Sequence, residues 1–156
     1  MVIKAVCRLF IDGSINNIGW CVFIDSSLIH FGTYRTKAKE WDRLKEIAAV
    51  MSDLAEKYKV QETYIEFVPA YTRNGKNVSA VQRLSMAVAV MLSTLPAAEM
   101  YEWKSRQTKA QTSAIVNHLY KLQIGGTKTS EHCRDAIAMA HRWLSEHNVR
   151  NRIVGG

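Results

Sequence analysis

The hydrophobic period of this chain changes sharply between Thr36 and Lys39, and that change restricts the fold more than any other feature. From Val2 to Thr36 the sequence is rich in β-branched and aromatic residues, with breaks at Asp12 to Asn17, Asp25 to Ser27 and Gly32. Such a run predicts three strands joined by short turns, an antiparallel meander. From Lys39 to Tyr58, Trp41, Leu44, Ile47, Ala48, Met51, Leu54, Ala55 and Tyr58 recur at steps of three and four with charges between them. That spacing predicts an amphipathic helix with these residues turned inward.

Further along, Tyr64 to Val68 predicts a fourth strand stopped by Pro69, and a loop follows through Tyr71, Arg73, Asn74, Gly75 and Lys76. Val78, Val81, Leu84, Val88 and Met91 mark a second helix, Ala97 to Trp103 a short fifth strand, and Gln107 to Tyr120 a third helix. Gly125 and Gly126 open a loop before a last helix from Glu131 to His147, with Ile137, Ala140 and Leu144 inward. The expectation is an α/β fold: a five-stranded mixed sheet, three antiparallel strands first, with helices on both faces. The 156 residues suit one domain spanning 1–156, without internal repeat or linker.

Lys and Arg outnumber Asp and Glu by 21 to 14, a formal charge of +7, so the chain should attract polyanions, nucleic acid first among them. Charge alone does not separate DNA from RNA or an anionic membrane. Cys7, Cys21 and Cys133 have no paired ligand spacing and read as small buried hydrophobes. The N-terminal stretch lacks a signal-peptide h-region, and no apolar run reaches the length of a membrane span, so the expected location is the cytoplasm, with no membrane partner.

Against that basic background, Glu66 is anomalous, because it interrupts an apolar strand that flanking helices should bury. An ionised carboxylate there needs a partner or a cation. A salt bridge to Lys104 or Arg106 would satisfy it, and so would a metal. Asp12 ends an apolar strand beside a tight turn, which by itself is ordinary turn chemistry. His132 and Asp135 stand three residues apart at the start of the last helix and so share one face of its first turn. Asp there also offsets the helix dipole. In combination, these acids and the histidine suit divalent ions: Mg2+ and Mn2+ prefer carboxylate oxygens, and Mn2+ also accepts imidazole.

The constellation resembles the RuvC-type Holliday-junction resolvases of the ribonuclease H-like superfamily over nearly the whole chain. Asp12 within FIDGSINNIGW matches the family's first-strand aspartate, Glu66 within YIEFVPAYTRNGKNVSAVQR its fourth-strand glutamate, and Asp135 within HCRDAIAMAHRWL its last-helix aspartate. His132 occupies a position where members carry histidine or aspartate. The resemblance implies a structure-selective endodeoxyribonuclease that holds two ions, Mg2+ or Mn2+, with Asp12, Glu66, His132 and Asp135. It also implies branched DNA as partner (four-way junctions, forks or flaps) and a homodimer formed through the helix from Lys76 to Ser93. Phosphate contacts are expected from Lys104 and Lys109 first, then Lys128, Arg73, Lys76 and Arg106.

The chain departs from the family where Gly13 replaces a proline and where Pro69 replaces the aromatic that bacterial members insert among the junction bases. Phe67 or Tyr71 is the candidate substitute. The stretch from Lys104 to Thr112 is also shorter, as in the compact versions carried by phages of Gram-positive bacteria, which places the expected location in a bacterial host's cytoplasm. Two other readings stay open: a branched-DNA-binding protein of the same fold with little or no cleavage, and an actin-like phosphate-binding ATPase lobe suggested by DGSINNIG. A second such lobe does not fit in 156 residues.

Overall fold

The computed structural model describes residues 4–12, 17–66, 78–120, 123–124 and 127–147. Strand β1 (Cys7–Ile11) pairs antiparallel with β2 (Asn17–Ile24), which pairs antiparallel with β3 (Ser27–Arg35). Helix α1 (Glu40–Lys57) then carries the chain to β4 (Glu62–Glu66), which lies parallel to β1, and α2 (Val78–Thr94) precedes β5 (Ala98–Tyr101), parallel to β4. The spatial order is therefore β3-β2-β1-β4-β5. Helices α3 (Arg106–Tyr120) and α4 (Glu131–Glu146) complete the expected α/β arrangement of a mixed sheet with helices on both faces.

Alternation along the central strands explains why all five residues of β1 are buried. Leu9 and Ile11 of β1 and Ile65 of β4 face one way, against Ile47 and Met51 of α1 and Val88 and Met91 of α2. Phe10 and Tyr64 face the other way, against Ile137, Ala140, Trp143 and Leu144 of α4 and Val116 of α3. A strand covered on both faces reads as near-continuous apolar sequence, and β1 does so except at Arg8, which is buried and pairs with Glu62. Burying a Leu, Ile or Phe in such a layer contributes roughly 1.5–3 kcal/mol per side chain.

Some expectations need correction. Gly32 does not break a strand: β3 passes through it in register with Trp20, whose ring occupies the space a Cβ would fill, with Cζ2 only 2.7 Å from that position. Glycine is required there by a close approach of side chain to backbone, not by a turn. Trp41 does not join the inward stripe of α1; it sits in the first turn, beyond the core, and is 64 % exposed. The residues around Gly125 and Gly126 are flanked by two short strands, β6 (Gln123–Ile124) and β7 (Thr127–Lys128), which pair with each other. All three cysteines are buried and free, as small hydrophobes should be. Among the described residues no helix is long and apolar enough to cross a membrane.

Candidate metal centre

Register brings the first two acids together. Ile11 of β1 is the parallel partner of Ile65 of β4, so Asp12 and Glu66 are the next residues on adjacent strands. Alternation turns both from the α1 and α2 face toward α4. Asp12 is anchored by its own N–H, which donates to the Gly19 carbonyl at 2.8 Å, and is 6 % exposed. Glu66 is 3 % exposed.

The start of α4 supplies the other side of the site, and three features fix it there. The Ser130 side chain caps the helix by accepting from the Cys133 N–H at 3.1 Å, which satisfies one of the helix's unpaired donors. The Thr33 and Ser130 hydroxyls hydrogen-bond, tying β3 to the cap. Gly19 of β2 lets the helix approach closely, since a Cβ there would overlap the His132 carbonyl and stand 2.6 Å from the Cys133 nitrogen. His132 Nδ1 consequently lies 3.0 Å from Asp12 Oδ2. Donor atoms of Asp12, His132 and Asp135 fall within 4.8 Å of one another.

Burial raises the Asp12 carboxyl from its ordinary range to about 7, with the Glu66 charge adding to the rise and the His132 hydrogen bond opposing it. Asp135 is raised as well, by burial first, with Lys109 opposing and Glu66 adding. The carboxylates therefore repel one another in a partly desolvated space, which disfavours their charged forms unless a cation joins them. Two carboxylate oxygens and an imidazole nitrogen suit a hard divalent ion. Around an ion with bonds of about 2.1 Å, donors lie up to roughly 4.2 Å apart, so small side-chain movements would bring the three onto one ion.

Glu66 is turned to other partners. Trp103, just beyond β5, donates its Nε1–H to Oε2 at 2.9 Å, and Lys109 Nζ lies 3.2 Å from Oε1. The cation that meets Glu66 is thus Lys109, not the Lys104 or Arg106 expected from sequence. Lys109 is 41 % exposed and borders both Glu66 and Asp135. Lys104 and Arg106 are exposed in the connection to α3 and at its first residue. Lys128 lies on β7. Phe67, Pro69, Tyr71, Arg73 and Lys76 lie outside the described residues. Sequence reasoning missed Trp103 and Ser130. Ser130 carried a signal, a serine just before the helix, whereas the acceptor of the Trp103 N–H is 37 residues away in sequence.

No protein-family model matches the sequence, and no curated protein does. Solved structures do match. RuvC of Thermus thermophilus in complex with Holliday junction substrate superposes with a TM-score of 0.62 at 15% identity, covering 92% of this chain and 97% of that one. The yeast mitochondrial Holliday junction resolvase gives 0.62 at 12% identity, over 92% of this chain and 80% of its own. The fowlpox virus Holliday junction resolvase gives 0.54 at 13% identity, over 90% and 99%. The chain therefore has a ribonuclease H-like α/β fold with an acid and imidazole cluster at one end of the sheet. In particular, it shares the fold of the RuvC-type resolvases.

Proposed function

We propose that this protein is a structure-selective DNA endonuclease that cleaves four-way junctions, and forks or flaps, by metal-dependent hydrolysis of a phosphodiester. The observation that carries the reading is the convergence of Asp12, His132 and Asp135 donors within 4.8 Å in a fold shared with Holliday-junction resolvases. The residues that would hold Mg2+ or Mn2+ are Asp12, Glu66, His132 and Asp135. Two ions so held would supply a water nucleophile at neutral pH and would offset charge on the departing 3′ oxygen.

The chain's own residues do the rest. Asp12 would hold the ion as a carboxylate, because a cation would compensate the burial that raises its pKa. His132 holds the Asp12 carboxylate through Nδ1 and so fixes its orientation. Lys109, beside Glu66 and half open to solvent, is placed to neutralise the phosphate at the cut. Lys104 and Arg106 continue that basic edge, and the formal charge of +7 draws the polyanion in. Arg73, Lys76 and Lys128 extend the DNA contact in the same reading, with Phe67 or Tyr71 meeting the bases.

Paired cuts at a junction require two sites, hence a homodimer through α2, which exposes Gln82, Met86 and Ala89. The test is cleavage of four-way junction, fork, flap and linear duplex in Mg2+ and in Mn2+. Nicks in the branched substrates and not in the linear duplex are expected. Binding without cleavage of any branched substrate in either ion would replace the endonuclease by a branched-DNA-binding protein.

A further inference from the structure

Among the described residues Trp41 is the most exposed of the large apolar side chains, at 64 %. Its position gives that exposure meaning. Strand β3 leaves the sheet at Arg35, which is in register with Asn17 and donates Nε–H to Asn17 Oδ1 at 3.1 Å. Asn17 opens β2 at the same end of the sheet where Asp12 follows β1. Two residues before Arg35, Thr33 bonds Ser130, the cap of the helix that carries His132 and Asp135. The segment from Arg35 to Trp41 therefore starts at the end of the sheet that holds the metal centre.

That segment carries Arg35, Lys37 and Lys39, all exposed, with no acid between them. Arg43 Nε–H donates to the Ala38 carbonyl at 3.1 Å and holds the segment against α1. Asp42 follows Trp41 in the first helical turn, where an acid offsets the helix dipole. The three exposed cations thus precede the exposed indole along the chain, the first of them, Arg35, at the sheet end that holds the metal centre. Cations that track a phosphate backbone beside an aromatic face form the chemistry that binds single-stranded nucleic acid. In a duplex the base faces are covered by stacking, so an indole takes only a base that is unpaired.

We propose that Arg35, Lys37, Lys39 and Trp41 form a binding site for unpaired nucleotides of the DNA strand that enters the metal centre, with the cations on phosphates and Trp41 stacked on a base. The proposal deepens the endonuclease reading and rests on its claim that DNA occupies this end of the sheet.

The test is titration of the protein with a thymidine oligonucleotide in EDTA, so that cleavage plays no part, with tryptophan emission and fluorescence anisotropy as readouts. Wild-type emission should be quenched. Trp41→Phe should bind within about three-fold of wild type but lose the quenching, and Trp41→Ala should bind roughly ten-fold more weakly. Lys37→Ala with Lys39→Ala should reduce the slope of log affinity against log salt by about 1.4. Unchanged affinity in Trp41→Ala, or quenching in Trp41→Phe equal to wild type, would overturn the proposal. A wild type that binds no oligonucleotide would do the same. Because binding is read without metal, the site can fail while cleavage stands, and cleavage can fail while the site stands.

Discussion

Lys109 Nζ lies 3.2 Å from Glu66 Oε1, so an ammonium group occupies the carboxylate oxygen that a bound cation would use. The two cations compete for one buried charge. Lys109→Met should raise Mn2+ affinity a few-fold by calorimetry, because Lys109 is 41 % exposed and its attraction is partly screened. The same variant should slow nicking by about ten-fold or more, since the phosphate loses its neutralising partner. Weaker Mn2+ binding in Lys109→Met would contradict the competition.

The other oxygen of Glu66 depends on Trp103. Trp103→Phe keeps an aromatic ring but loses the pyrrole part of the indole and with it the N–H that donates to Oε2 at 2.9 Å. Loss of a hydrogen bond to a buried charged group should cost about 1–3 kcal/mol in urea unfolding. A stability within about 0.5 kcal/mol of wild type would show that water or another donor replaces the indole.

Gly19 sets the distance between β2 and α4. Gly19→Ala forces a Cβ into the His132 carbonyl, so the helix start must move away from Asp12. We expect a loss of roughly 2–4 kcal/mol of stability, at or above the upper end for overpacking, together with loss of measurable Mn2+ binding. Wild-type metal affinity in a folded Gly19→Ala protein would separate the helix position from the site.

The raised Asp12 carboxyl makes a signed prediction about pH. Its folded value of about 7 exceeds the ordinary 3.8, so between these values the folded state holds a proton that the unfolded state has released. This contribution to metal-free stability is complete below about pH 4 and is lost as pH rises through about 7. Urea unfolding in EDTA at pH 5 and pH 8 should therefore show a larger fall in wild type than in Asp12→Asn, which carries no ionisable group there. Saturating Mg2+ should restore wild-type stability at pH 8. An identical pH dependence in the two proteins would refute the desolvated carboxyl.

The element order was legible because period carries it: β1, whose neighbours cover both faces, is apolar apart from Arg8, and α4 shows its buried stripe from Ile137 to Leu144. Glu66 stood out for a related reason, as a charge interrupting an apolar run, whereas Asp12 alone read as turn chemistry and gained weight only in combination. Periodicity tells which way a side chain points but not whether anything stands opposite it, and so Trp41, in phase with the core stripe, proved exposed. The Trp103 to Glu66 bond and the Trp20 ring over Gly32 are contacts through space, and neither residue's local sequence encodes its partner. Strands of two residues, as in β6 and β7, are too short to show alternation.

The most direct measurement of the central claim is nicking of a synthetic four-way junction in Mg2+ by wild type and by Asp12→Asn, with junction binding measured in parallel in EDTA. The account predicts cleavage by wild type, none detectable by the variant, and closely similar junction affinity for both. Cleavage by Asp12→Asn at the wild-type rate would contradict the assignment of the acidic cluster as the active centre.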